Sequence, residues 1–165
     1  MLKISIDLDG VLCDFYSPYY KRFGNTSDNI TKNVNLLIKD KEFWLNLPVI
    51  NTLEWTPKQY TTARIIKKKW IKEYLEKENF PKAPVYQVFG YSLSKYSKIR
   101  GCDLHIDDSI SVFKDLNSKG LPCLLLDTPY NQECGPVGRI YSLDYDHILE
   151  SYKLFMDIFP YFKNL

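Results

Sequence analysis

Apolar and polar positions alternate over Leu2-Lys3-Ile4-Ser5-Ile6, and the run stops at Asp7. A period of two sends successive side chains to opposite faces, which predicts a short strand ending at that acid. The pattern then changes. Helical patches over 17–23 and 35–44 are interrupted at Gly24-Asn25 and closed by Leu47-Pro48, so this stretch reads as an insertion. From residue 55 onward strands and helices take turns. A weak strand is expected over 59–62, followed by a helix over 64–77 whose Ile66, Trp70 and Tyr74 recur four apart. A strand over 85–89, a short helix over 93–99 and a strand over 103–106 come next. After them are expected a helix over 109–118 closed by Gly120, a wholly apolar strand over 121–126, an edge strand over 139–143 and a last helix over 145–159. Apolar strands separated by single helices describe an α/β protein, a doubly wound parallel sheet covered on both faces.

Composition narrows the class. A chain of 165 residues supports one principal core. Lys and Arg number 22 against 20 Asp and Glu, a formal net charge of +2, which excludes a polybasic nucleic-acid or membrane binder. The run Lys67-Lys68-Lys69 spreads around its helix and reads as a solvated surface rather than a nucleic-acid stripe. Cys13, Cys102, Cys123 and Cys134 form no Cys-x-x-Cys pair and accompany only His105 and His147, so small buried hydrophobes are expected rather than zinc or disulfides. With no signal-peptide pattern and no long apolar run, the expected setting is soluble and cytoplasmic, without a membrane partner. The excess is aromatic: 13 Tyr, 9 Phe and 3 Trp need something to pack or stack on.

In open parallel sheets ligands bind beyond the carboxyl ends of the strands, so the residues just past each strand carry the chemistry. Asp7 and Asp9 stand two apart at such an end, with both carboxylates on one side and Gly10 turning the chain away. They suit a nucleophile with a general acid/base, or two metal ligands. A calcium-loop reading fails because Val11 stands where a third oxygen ligand is needed. Asp107-Asp108 ends another strand, where a carboxylate could also cap the following helix. Gathered at one sheet edge, Asp7, Asp9, Asp107 and Asp108 repel one another unless a hard, oxygen-liganded ion such as Mg²⁺ sits among them. Thr62 and Lys98 supply a hydroxyl and a positive charge for phosphate oxygens. Lys95 competes with Lys98 for this role. Arg64 suits either a substrate phosphate or solvent. His105 is expected to be a satisfied sheet histidine rather than a catalytic one.

These residues resemble the haloacid dehalogenase (HAD) superfamily of Mg²⁺-dependent phosphohydrolases. Asp7-Leu8-Asp9-Gly10-Val11-Leu12 looks like its first motif, Thr62-Ala63-Arg64 like the second, Lys98 like the third and Ile106-Asp107-Asp108 like the fourth. Within it, Asp-x-Asp-Gly-Val-Leu-x-Asp-Phe, an insertion between motifs one and two, and Phe43-Trp44-x-x-Leu47-Pro48 resemble the 5′(3′)-deoxyribonucleotidases and their bacterial and phage relatives. The insertion is shorter than a full four-helix cap, and Thr-Ala-Arg replaces Thr-Ser-Pro in the second motif.

The resemblance implies a Rossmann-like, HAD-type core over 1–14 and 54–165 with a small helical cap over 15–53. It also implies a Mg²⁺-dependent phosphomonoester hydrolase acting on nucleoside monophosphates. Asp7 would form an aspartyl-phosphate, with Asp9 as general acid and then base. The ion would be held by Asp7, the Asp9 backbone carbonyl and Asp107 or Asp108. Thr62, Ala63, Arg64 and Lys98 would take the phosphate, and at least one of the rings Phe15, Phe43 and Trp44 is expected to face the base, the others gluing the cap helices together. A phosphatase of polynucleotide 3′ ends and a catalytically silent ligand-binding module are the other readings, and homodimer formation stays open.

Overall fold

Ile4, Ser5 and Ile6 find ladder partners on both sides, and the sheet is built outward from them. The computed structural model describes residues 2–24, 33, 36–37, 40, 42–43, 46–48, 63–65 (as backbone), 96 and 99–162. Strands β1 (Ile4–Ile6), β2 (Ala63–Ile65), β3 (Leu104–Asp107), β4 (Cys123–Leu126) and β5 (Arg139–Ile140) form one sheet in the order β2-β1-β3-β4-β5. All four pairings are parallel. Every residue of β1, β3 and β4 is buried, as expected of strands covered on both faces. The expected α/β doubly wound architecture is therefore the observed one.

Helices α1 (Tyr16–Phe23), α2 (Ile110–Ser118) and α3 (Tyr145–Phe162) complete the described elements. Helix α2 buries Val112, Phe113, Leu116 and Asn117, positions that fall on one side at helical spacing. Its buried Asn117 is also a splice: the side-chain nitrogen donates to the Cys123 carbonyl at 3.1 Å and the side-chain oxygen accepts from the Cys123 N–H at 2.8 Å, fixing where β4 starts. Phe155 and Phe159 of α3 are buried in the same core.

The second strand corrects the sequence expectation. The helix expected from Arg64 is replaced, at its first two positions, by strand at Ala63–Ile65, with Ala63 opposite Ile4 and Ile65 opposite Ile6, while the strand expected over 59–62 lies outside the described residues. The physical reason is tertiary. The edge of β1 needs backbone partners, and Ala63–Ile65 supply them, so strand takes the two positions at which the sequence places the start of the helix. The remainder of that helix, and the strand expected over 85–89, lie outside the described residues.

A second, smaller apolar cluster sits apart from the main core. Phe15, Tyr19 and Leu37 are buried in it, with Tyr16, Tyr20, Phe23 and Phe43 packed around them. Phe43 also packs against the main core. Cys13, Cys102 and Cys123 are buried and Cys134 is half-buried, and none of the four is in a disulfide. Among the described residues no helix is long and apolar enough to cross a membrane.

Candidate active site

The strand order reverses at β1 and β3, the position where open parallel sheets form a ligand crevice beyond their carboxyl ends. Ile6 pairs with Ile106, and the Asp7 N–H donates to the Ile106 carbonyl at 2.9 Å, so the ladder continues one residue past β1. Asp7 thereby comes to stand beside Asp107. Ser5 and His105, which are also paired, lie two residues earlier on the same face.

Past Asp7 the chain folds back tightly. The Leu8 carbonyl accepts from the N–H groups of Val11, Leu12 and Cys13, while the Gly10 N–H donates to the Cys13 carbonyl at 2.8 Å. Leu8, Val11, Leu12 and Cys13 are all buried, so the apolar residues of the motif anchor the loop in the core. Gly10 has φ +84, and a β-carbon there would meet Asp108 Oδ2 at 2.1 Å. Only glycine lets the loop pass against that carboxylate.

Asp7, Asp107 and Asp108 each offer a carboxylate oxygen within 4.8 Å of the others. Asp107 and Asp108 are buried and Asp7 is half-buried. Three hard oxygen donors at this spacing fit a divalent cation of the Mg²⁺ type. The Asp9 carboxylate is not part of this group: its Oδ1 accepts from the Cys13 thiol at 3.4 Å, and Asp9 and Cys13 form a backbone bridge.

The Asp107 carboxylate is held on both oxygens, and Asp108 is held through its backbone carbonyl. Asp107 Oδ1 accepts from the Ser109 N–H at 3.0 Å, and Oδ2 lies 2.9 Å from His105 Nε2. Helix α2 is capped by Ser109, whose side chain accepts from the Val112 N–H, so the capping role weighed for the aspartates falls to the serine. The Asp108 carbonyl accepts from Asn131 Nδ2 at 2.9 Å. Asn131, buried just past β4, also donates to the Leu126 carbonyl and accepts from the Thr128 N–H and Arg139 Nη1. This network ties the loop after β4 to the acidic edge.

The Tyr16 hydroxyl hydrogen-bonds the Asp108 side chain. Burial first, then the Asp108 charge and this hydrogen bond, push its pKa far above the usual tyrosine range, so the phenol stays protonated and donates. Its ring lies against Tyr130 with centroids 4.6 Å apart, and Tyr20 approaches Tyr130 at 5.5 Å. Tyr130 remains exposed, which leaves an aromatic surface next to the carboxylates.

Of the three rings of which at least one is expected to face the base, Phe15 is buried, stacked on Tyr19 and edge-on to Tyr16 and Phe43. It is packing, because the small cluster needs a central ring. Phe43 is partly buried in that same cluster. Ala63 and Arg64 lie within β2, opposite Ile4 and Ser5, two residues and one residue before its carboxyl end. Thr62, Lys98 and Trp44 lie outside the described residues. Sequence reasoning passes over Tyr16, Tyr130 and Asn131. The rule that chemistry follows each strand end, applied to β4 as to β1 and β3, reaches Tyr130 and Asn131.

No family model matches this chain, and no curated protein matches it. Among solved structures it is similar to a HAD-superfamily hydrolase, subfamily IA, variant 1, from Geobacter sulfurreducens. The TM-score is 0.50 at 12% identity, over 88% of this chain and 94% of that one. A HAD-superfamily hydrolase from Ehrlichia chaffeensis has a TM-score of 0.46 at 14% identity, over 92% and 96%. The first likeness shows that the fold is of the HAD type.

Proposed function

We propose that this chain is a Mg²⁺-dependent phosphomonoester hydrolase of the HAD type whose substrates are nucleoside monophosphates. The observation that carries the reading is the cluster of Asp7, Asp107 and Asp108 at the β1/β3 crevice, with Asp9 two residues along the same loop. Mg²⁺ bound by these three side chains would neutralise charge on the nucleophile and the phosphoryl oxygens.

The remaining steps belong to the chain's own residues. Asp7, on the backbone ladder of β1, attacks phosphorus in line and forms an aspartyl-phosphate while the P–O bond to the leaving alkoxide breaks. Asp9 gives that alkoxide a proton, then takes one from the water that cleaves the acyl phosphate. Its carboxylate is oriented by the Cys13 thiol and stands outside the metal-ligating group, which suits proton transfer rather than ligation. Thr62 and Lys98 enter as phosphate-binding groups from their sequence motifs. The segment over 15–53 acts as the cap, and the exposed face of Tyr130 beside Tyr16 offers the base a stacking surface, a contact worth about 1–3 kcal/mol.

The test is phosphate release with Mg²⁺ across ribo- and deoxyribonucleoside monophosphates, sugar phosphates and a 3′-phosphorylated oligonucleotide. The expected result is turnover of the mononucleotides and none by Asp7→Asn, which keeps the fold. Turnover of no member overturns the enzyme reading, and preference for the oligonucleotide replaces the mononucleotide with a polynucleotide end.

A further inference from the structure

Ser5, His105 and Asp107 form a continuous hydrogen-bonded chain directly beneath the acidic cluster, and we infer that His105 is a positioning residue that holds the Asp107 carboxylate as a cation ligand. The inference rests on the metal-site reading proposed above.

The chain follows from strand register. Ser5 pairs with His105 across β1 and β3, and the period-two pleat returns the next residue on that face at Asp107. His105 Nδ1 lies 2.8 Å from Ser5 Oγ and its Nε2 lies 2.9 Å from Asp107 Oδ2. Ser5 and His105 are 0% exposed and Asp107 is 1% exposed, so water does not compete for these bonds.

The proton arrangement is the same at Asp107 in either state of the ring. In neutral imidazole, Ser5 Oγ–H donates to Nδ1 and Nε2–H donates to the carboxylate. In imidazolium, Nδ1–H donates to Ser5 Oγ, whose own hydrogen turns to the Leu104 carbonyl 3.3 Å away, and Nε2–H still donates to Asp107. Meanwhile Asp107 Oδ1 is bound by the Ser109 N–H. A carboxylate oxygen carries two acceptor sites, so holding it by one hydrogen bond is compatible with ligating an ion. A carboxylate already turned to its ligating orientation loses no rotational freedom on binding. Partners of this kind are worth about 10–100-fold in metal affinity.

The experiment is calorimetric titration of the full chain with Mg²⁺ alone, with thermal unfolding as the fold control. His105→Gln places an amide nitrogen near the position of Nε2, whereas His105→Asn places it near Nδ1, too short to reach Asp107. The Gln variant is expected to bind Mg²⁺ close to wild type and the Asn variant about 10–100-fold more weakly. Leu116→Ala, a core truncation away from the site, is expected to lower the unfolding temperature without changing Mg²⁺ affinity. Equal affinities in the two amide variants overturn the inference. If the Asn variant does not fold, Ser5→Ala decides: a loss of Mg²⁺ affinity supports the chain, and wild-type affinity overturns it. A wild-type protein that binds no Mg²⁺ overturns the metal site itself, a result distinct from the others because in them the wild type binds.

Discussion

Gly10 and Asp108 occupy each other's space: a β-carbon on the glycine would lie 2.1 Å from Oδ2 of the aspartate and 2.6 Å from its Cγ. The loop after β1 and the carboxylate after β3 are therefore one steric unit, although Gly10 and Asp108 stand 98 positions apart in the chain.

Gly10→Ala is accordingly expected to do two things. The positive φ costs about 1–2 kcal/mol of stability for any residue with a β-carbon. The larger effect is displacement of Asp108, since misplacing a reacting or ligating group by about 1 Å costs about 100-fold in rate. Steady-state phosphate release, set beside a urea unfolding curve, separates the two. A variant that loses stability but keeps its rate would show that Asp108 has room to move.

Tyr16→Phe keeps the ring against Tyr130 and removes only the hydroxyl that donates to Asp108. About tenfold weaker Mg²⁺ binding is expected with little change in unfolding temperature. Because that hydroxyl titrates far above the ordinary value of 10.0, it stays protonated across the neutral and mildly alkaline range. The alkaline limb of the wild-type pH–rate profile should persist unchanged in the variant, and loss of that limb would mean that Tyr16 itself titrates.

Asn131→Leu removes the side chain that donates to the Asp108 and Leu126 carbonyls and accepts from the Thr128 N–H and Arg139. Leucine of similar volume leaves buried partners unsatisfied. A loss of about 3 kcal/mol in chemical unfolding is expected, together with weaker Mg²⁺ binding through Asp108. Full stability would show that the loop after β4 re-forms its bonds with water.

The exposed pair of Arg22 and Asp40 gives a pH prediction. The Arg22 hydrogen bond, then the Phe43 N–H, hold the Asp40 carboxyl below its ordinary value of 3.8. A group depressed in the folded state contributes stability that is complete above the unfolded pKa. That contribution is lost as pH falls through the folded pKa. Arg22→Gln should raise the Asp40 midpoint in an NMR titration toward 3.8, and an unmoved midpoint would assign the depression to the backbone donor alone.

Local patterns are legible in the amino-acid sequence itself. The alternation of Leu2 to Ile6 gives β1, the apolar run around Leu124 gives β4, and the acids Asp7, Asp107 and Asp108 stand out because strand ends are where parallel sheets expose side chains. Cys13, Cys102 and Cys123 are buried, as their expected behaviour as small hydrophobes implies. Local pattern places the start of the second helix at Arg64, where the chain is instead strand, with Arg64 and Ile65 opposite Ser5 and Ile6 of β1.

The sequence alone thus determined the parallel α/β class, the strands β1, β3 and β4, and three of the four acids expected to converge, because periodicity and strand termini are encoded in neighbouring residues. Only the tertiary structure decided that Phe15 is buried in the small aromatic cluster, that Tyr16 reaches Asp108, and that Ser5 and His105 stand behind Asp107. Those facts depend on which residue lies opposite which across strands about a hundred positions apart, and no local periodicity records a register.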